Sequence, residues 1–151
     1  MGGLPAFDRY IGIDYSGAET PKSSLKGLRV YMADRNGPPT EVPPGSVAKS
    51  THAGLPWLRH IRLHVPTVHF WPFDGWDVPA GRSVVAEVYP SLCSRGFARR
   101  DRNEHQHDAF SVAEWMRRSD LDGTLADLLA PALAPAEREA AYIEGWILGI
   151  K

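Results

Sequence analysis

The chain is poor in cysteine, and its one thiol, Cys93, excludes an internal disulfide framework and a cysteine-rich zinc site. It has no apolar run near the ~20 residues that span a bilayer, and its first residues lack a basic-then-apolar signal pattern. It also lacks an excess of either charge: 17 Lys and Arg meet 18 Asp and Glu, so bulk electrostatics give no support for nucleic-acid binding. We therefore expect a cytoplasmic protein in which any basic surface is local.

The patterns that are present predict a single α/β domain over residues 1–151, a length suited to one core. Apolar and β-branched runs predict strands over 9–15, 28–33, 68–71 and 84–88, the first two as antiparallel neighbours. Helical spacing predicts helices over 52–65, 104–119, 121–129 and 135–149. The stretch 34–46 is rich in proline and glycine and predicts a loop, because proline cannot donate to a backbone ladder.

The two longest predicted helices have further sequence signals. Asn103 followed by Gln106 resembles a capping box and predicts the start of the helix over 104–119. The buried stripe of that helix is predicted to contain Ala109, Val112, Ala113 and Met116. A second apolar face, in the last helix, is predicted to contain Ile143, Trp146, Ile147 and Ile150.

Acidic side chains interrupt or end two of the apolar strands. Asp14 ends the first strand, Glu87 lies within the run 84–88, and Asp108 follows on a helix. Strand ends of a mostly parallel sheet gather at one edge, where open α/β folds place their ligands. Mg²⁺ and Mn²⁺ bind carboxylate oxygens, and two such ions roughly 3.5–4 Å apart can promote in-line displacement at phosphorus. The pattern predicts a divalent-metal site built from Asp14, Glu87 and Asp108, with His107 as a proton-transfer group.

Each of these assignments has a structural alternative. Asp14 precedes Ser-Gly, where an aspartate often only hydrogen-bonds its own backbone. Glu87 could pair with an arginine such as Arg82 or Arg95, because an unpartnered buried carboxylate is costly. Asp108 lies near a helix start, where negative charge suits the macrodipole. The three carboxylates together favour the metal site more than any one of them does.

Histidines and arginines flank the acidic helix. His105 is the other candidate for proton transfer; it and His107 point to different helix faces, so a zinc pair is not expected and capping or exposure is the alternative role. Four arginines precede the helix and could steer a phosphate backbone toward the metal site, a solvated basic loop being the alternative. They are Arg95, Arg99, Arg100 and Arg102.

Five segments carry a family resemblance, and together they cover most of the chain. They are IGIDYSGAETP, GSVAKSTHAGLPWLR, HFWPFDGWDVPAGRSVVAEVYPSL, QHDAFSVAEW and EGWILGI. They resemble a bacterial and archaeal family of predicted RNase H-like nucleases. The resemblance implies an RNase H-like fold, with a mixed sheet and flanking helices, and two Mg²⁺ ions held between acidic residues. It assigns metal binding to Asp14 and Asp108, with Glu87 as a third ligand.

The chain departs from that family in one region. Family members have further strands and a helix between the second strand and the GSVAKSTHAG segment, including a strand that bears another aspartate. Here that region is only residues 34–44. The departure implies either an incomplete active site or a surface borrowed from a second subunit, and exposed sheet edges favour pairing between chains. A homodimer is therefore expected.

The resulting leading hypothesis is a metal-dependent nuclease that hydrolyses phosphodiester bonds of DNA or RNA. The first alternative is a catalytically incomplete module that keeps the fold and binds nucleic acid or protein. The second alternative is a metal-dependent phosphohydrolase of small nucleotides. Salt-sensitive binding without cleavage would distinguish the module, and turnover restricted to mononucleotides would distinguish the phosphohydrolase.

Overall fold

A computed structural model describes residues 4–14, 28–43 and 54–151 of the chain. Three strands form an antiparallel sheet in the order β1 (Arg9–Asp14), β2 (Arg29–Asp34) and β3 (Thr40–Glu41). The predicted antiparallel pairing of the first two strands is confirmed. The predicted strand end at residue 15, the last part of the predicted loop and the first residues of the predicted helix over 52–65 lie outside the described residues.

The strand β3 corrects part of the prediction for residues 34–46. A loop was expected there because of its prolines, yet Thr40 and Glu41 lie between two proline pairs and keep their own N–H groups. They pair with Met32 and Tyr31 of β2, and the N–H group of Val42 donates to the carbonyl of Val30 at 2.9 Å. A short edge strand therefore fits between the prolines.

Four α-helices follow the first sheet in the described residues, with two short 3-10 helices, Pro90–Leu92 and Ser94–Gly96, between the first and the second. The α-helices are α1 (Gly54–His64), α2 (Glu104–Leu121), α3 (Leu125–Leu129) and α4 (Pro135–Glu144). None of the helices in this described part is long and apolar enough to cross a membrane. The predicted helix over 135–149 is too long, because Gly145 has a φ of +82° and ends the helical path.

The apolar face predicted for the last helix is only partly buried. Ile143 belongs to that predicted face and lies within α4, but it is 84% exposed. Ala141 and Leu148 are buried instead. Residues after Gly145 no longer follow the helical period, so a pattern that assumes 3.6 residues per turn places their side chains wrongly.

A second, parallel pair of strands contains β4 (Val68–Phe70) and β5 (Ser83–Val85). The chain is therefore α/β, as predicted. Within the described ranges, however, the strands form two separate sheets and not one mixed sheet. The predicted strand over 84–88 pairs only as far as Val85, and Glu87 then makes an isolated parallel bridge with Ile147.

Helix α2 is the central element of the fold. It packs against β1 and β2 and runs antiparallel to β1: the Tyr10 hydroxyl donates to Asp120 at 2.8 Å near one end, and Asp14 contacts His105 at the other. Its predicted stripe is largely confirmed, since Ala109, Val112 and Ala113 are buried and Met116 is half-buried. A second apolar cluster contains Trp71, Trp76, Leu125, Ala141 and Leu148.

Candidate active site

The candidate active site lies where the carboxyl end of β1 meets the first turns of α2. Residues of β1 alternate between buried and exposed, which places Tyr10, Gly12 and Asp14 on the side that faces α2. The helix begins there because Asn103 and Gln106 form the predicted capping box, with hydrogen bonds of 2.9 and 3.0 Å. A rigid strand end and a capped helix start therefore define the site.

Gly12 sets the distance between these two elements. A Cβ atom at position 12 would lie 1.9 Å from the carbonyl oxygen of Ala109. Only a residue without a side chain permits this approach of strand to helix. The contact fixes which face of α2 meets β1, and so which helix side chain can reach Asp14.

His105 is the side chain that reaches Asp14. Its Nδ1 lies 2.6 Å from Asp14 Oδ2, and the two side chains are 41% and 23% exposed. Because Nδ1 faces the carboxylate, Nε2 is the ring nitrogen left for a substrate or water. The pair has the geometry of a carboxylate that orients an imidazole.

Asp108 belongs to the same site. Burial, and after it the negative charge of Asp14, raise the pKa of Asp108, while His107 and His105 act in the opposite direction. Two carboxylates whose charges repel each other favour protonation of one of them or a nearby cation. The joint metal role of Asp14 and Asp108 stays a prediction.

Cys93 is a buried thiol within reach of the charge of Asp108. Burial raises the pKa of the Cys93 thiol to about 11, and the charge of Asp108 contributes to the rise. The Sγ atom is 3.5 Å from the carbonyl of Pro90. A thiol that stays protonated at neutral pH is a poor nucleophile, so Cys93 is a packing residue of the site.

His107 has a different environment from His105. Its Nε2 lies 3.1 Å from the carbonyl oxygen of Ser94, and its buried Nδ1 has no hydrogen-bond partner among the described residues. The carbonyl contact holds the ring against the segment before α2. The predicted role of His107 in proton transfer stays a prediction, and the geometry offers His105 for that role.

Glu87 lies in an exposed recess of about 280 Å³ that is lined also by Tyr89, Glu144 and Trp146. Its backbone carbonyl accepts a hydrogen bond from Leu148 at 2.9 Å. Within the described residues, no three His, Cys, Asp or Glu side chains are arranged to hold a metal ion. This finding includes Asp14, His105 and Asp108, so the metal roles of Asp14, Asp108 and Glu87 all stay predictions.

The alternative partners of Glu87 are not observed either. Among the described residues, Glu87 forms no salt bridge with Arg82 or Arg95. Arg82 instead donates to the carbonyl of Pro66. The carboxylate of Glu87 is exposed, so it needs no ion pair to offset a desolvation cost.

The four predicted phosphate-steering arginines divide into two kinds. Arg102 lies 3.5 Å from the centroid of the Phe110 ring and donates to the carbonyl of Ala98 at 3.0 Å. Arg99 donates to the carbonyl of Arg102 at 3.0 Å. Arg95 and Arg100 are exposed, and within the described ranges their side chains form no hydrogen bond, ion pair or ring contact. Two of the four therefore stabilise the loop before α2, and nucleic-acid binding by the set stays a prediction.

Sequence inspection missed Arg29 and Glu41, which lie at the same end of the sheet. Arg29 is directly opposite Asp14 in the β1–β2 ladder. Glu41 accepts hydrogen bonds from Gln106 Nε2 at 3.0 and 3.2 Å, which connects β3 to the first turn of α2. The predicted antiparallel pairing of β1 with β2 could have indicated Arg29, but the sequence alone did not give the register of the two strands.

No family model, no curated protein and no solved structure matches this chain. The resemblance to the predicted RNase H-like nucleases therefore stays a prediction.

Proposed function

We propose that this chain is a metal-dependent hydrolase of phosphodiester bonds in DNA or RNA, with an RNase H-like arrangement of its first strand and its acidic helix. The observation that supports the proposal most is the contact of Asp14, at the end of β1, with His105 at the start of α2, one turn before Asp108. Carboxylates on rigid elements beside an oriented imidazole are the groups that metal-assisted hydrolysis requires.

Asp14 and Asp108 suit a Mg²⁺ or Mn²⁺ ion. Phosphoryl-transfer sites often bind Mg²⁺ with one or two carboxylates, while substrate phosphate and water complete the coordination. The charge of Asp14 contributes to the raised pKa of Asp108, and a cation beside both carboxylates would relieve that repulsion. When bound, the ion would polarise a phosphoryl oxygen. Glu87 remains the proposed third ligand.

His105 is the proposed proton-transfer group. Asp14 Oδ2 holds its Nδ1, so the ring orientation is fixed and Nε2 is free of that carboxylate. A neutral imidazole in this tautomer can accept a proton from an attacking water at Nε2. Asp14 then has two functions, since one carboxylate oxygen orients the imidazole and the other remains for a metal ion.

The Asp14→Asn variant tests the proposal. Labelled single- and double-stranded DNA and RNA would be incubated with Mg²⁺ or Mn²⁺ and with the wild type or the variant, purified identically. Asp127→Asn is the matched control, because Asp127 is exposed on α3 and its loss changes the net charge equally. We expect metal-dependent cleavage by the wild type and the control, and a loss of at least ~100-fold in Asp14→Asn. Equal cleavage by all three proteins, or by none, would contradict the proposal.

One observation favours the binding module as a second candidate. The described residues hold no three-ligand metal group, and Glu87 lies in a recess of its own. A protein of this kind would bind long strands with strong salt dependence and would not cut them. Binding without cleavage by a folded wild type would transfer the assignment to that module, and turnover of mononucleotides alone would transfer it to a small-nucleotide phosphohydrolase.

A further inference from the structure

Arg29 is a cation on the strand that pairs with β1, at the end that carries Asp14. It is the residue directly across from Asp14 in the β1–β2 ladder. Directly opposed residues of an antiparallel pair lie on the same face, with Cβ atoms about 4.5–5.5 Å apart. The side chain of Arg29 therefore leaves the sheet on the side of α2, close to the end of β1.

The guanidinium of Arg29 is only partly engaged by the protein. Its Nη1 donates to the carbonyl of Leu28 at 2.8 Å, and its Nε lies 3.8 Å from Glu41 Oε1. Both oxygens of Glu41 already accept hydrogen bonds from Gln106. A guanidinium has five N–H donors, and 29% of this side chain is exposed. Arg29 thus keeps donors for another acceptor.

The nearby Arg102 does not have this freedom. Its guanidinium is stacked on the Phe110 ring and donates to the carbonyls of Ala98 and Arg99. Of the four predicted steering arginines, Arg102 is nearest in sequence to the start of α2, and these contacts use its guanidinium to stabilise the loop. Arg29, by contrast, projects from a rigid strand and is tied by one backbone hydrogen bond and one long ion pair.

The negative charge of the site favours a cation of this kind. A phosphodiester is an anion, and here it would approach Asp14 at the end of β1 and Glu104 and Asp108 in the first turns of α2. An arginine fork binds two phosphate oxygens at once, with a fixed orientation that lysine does not impose.

We propose that Arg29 binds a backbone phosphate of the nucleic acid and so positions the strand at Asp14 and Asp108. This inference deepens the proposed function and rests on it. Arg29 would contribute to binding through contact with a non-bridging phosphate oxygen, and it would not itself transfer a proton. Glu41 and Leu28 would hold the guanidinium in place before the substrate arrives.

The test is fluorescence anisotropy of labelled single-stranded oligonucleotides in Ca²⁺, with the wild type, Arg29→Gln, Arg29→Lys and Arg59→Gln. Arg59 is exposed on α1, away from the site, and its loss gives the same change of net charge. We expect Arg29→Gln to bind about tenfold more weakly, as for one lost charge-assisted hydrogen-bonded contact. Its plot of log K against log salt should also be less steep by about 0.7, the value for one phosphate on a single strand.

The remaining variants separate substrate contact from a structural role. Arg29→Lys should keep the salt slope and lose part of the affinity, and Arg59→Gln should bind like the wild type. Glu41→Gln removes the ion-pair partner of Arg29 but keeps the guanidinium, so it should also keep the salt slope. Melting temperatures of all variants identify any that fail to fold, in which case Arg29→Lys supplies the comparison.

Three outcomes would overturn the inference, and they are distinguishable. Equal binding by Arg29→Gln and Arg59→Gln, beside a wild type that binds and cuts, would remove the role of Arg29 and leave the proposed function intact. Equal losses of affinity and slope in Arg29→Gln and Glu41→Gln would assign Arg29 to structure alone. A folded wild type that does not bind oligonucleotides would overturn the proposed function together with this inference.

Discussion

At the scale of single residues, the candidate site contains carboxylates whose negative charges repel each other. Asp108 is the clearest case, because burial and the charge of Asp14 both raise its pKa above the ordinary aspartate value of 3.8. The folded chain therefore binds a proton at Asp108 more readily than the unfolded chain does. Stability decreases as the pH rises from 3.8 through the raised value, and the ionised carboxylate destabilises the fold at neutral pH.

Replacing Asp108 should therefore separate stability from activity. In metal-free buffer at pH 7, Asp108→Asn is expected to raise the melting temperature by on the order of 2 °C, because the variant has no charge to bury. Cleavage should fall to background if Asp108 has its proposed role as a metal ligand. Calorimetry at pH 7 and at a pH well below the ordinary aspartate pKa checks whether the charge of Asp108 is the cause. The difference in melting temperature between the variant and the wild type should shrink in acid, where the wild-type carboxyl is also uncharged. A variant that melts below the wild type at pH 7 would contradict this account.

His105 and His107 give a matched pair of variants at the same scale. His105→Gln is expected to lower the cleavage rate by ~100-fold or more, because it removes the imidazole held by Asp14. His107→Gln should mainly lower the melting temperature, because His107 contacts a backbone carbonyl. Steady-state rates between pH 5 and 9 provide the comparison, and the reverse result would restore His107 as the proton-transfer group.

The sequence also contains a pattern that favours His105 over His107. Extending the predicted stripe of Ala109, Val112 and Met116 one turn toward the helix start gives position 105. The choice between His105 and His107 nevertheless depends on how α2 is rotated against β1, which the contact of Gly12 with Ala109 determines. Such a contact joins residues far apart in sequence, so local patterns do not reveal it.

At the scale of elements, local sequence signals predicted the features that are set by residues adjacent in the chain. The start of α2 followed from its capping box, and the pairing of β1 with β2 followed from their apolar patterns. The position of Glu87 could not be predicted, because β5 ends at Val85 and the alternation of a strand no longer sets the direction of later side chains. The length of α4 depended on the conformation of Gly145.

The contact between β1 and α2 can be tested by adding a single methyl group at Gly12. Gly12→Ala is expected to lower the free energy of unfolding by about 3 kcal/mol or more, because strand and helix must separate to admit the Cβ atom. Gly37→Ala is the control, since a Cβ atom there meets nothing within 4 Å. Urea denaturation followed by circular dichroism measures both. Equal stability of the two variants would show that β1 and α2 are not this close.

At the scale of the whole molecule, α2 connects parts of the chain that are distant in sequence. Asp120 accepts hydrogen bonds from the backbone of Ala6 and Phe7 at 2.8 and 2.9 Å, and Arg117 donates to the carbonyl of Arg35. The separation of the strands into two sheets was not predictable, because strand order depends on long-range packing. The expected homodimer stays a prediction, which sedimentation equilibrium would test.

Glu114 makes the packing of α2 against distant parts of the chain sensitive to acid. It is 1% exposed and accepts hydrogen bonds from Arg117 and Arg118 at 2.7 to 2.9 Å. Burial alone would raise the pKa of Glu114, but the two guanidinium groups outweigh burial and lower it. The stability that this carboxylate contributes is therefore complete above the ordinary value of 4.5 and is lost as the pH falls through the lowered value.

Removing the charge of Glu114 should weaken the fold and also change its response to acid. Glu114→Gln is expected to lower the free energy of unfolding at pH 7 by about 3 kcal/mol, because two guanidinium groups lose a buried partner. Below pH 4.5 its stability should fall less steeply than that of the wild type, since the group that titrates is gone. Glu139→Gln, at an exposed position of α4, should match the wild type. Urea titrations at pH 7, 4 and 3 would refute this account if Glu114→Gln and the wild type lost stability in parallel.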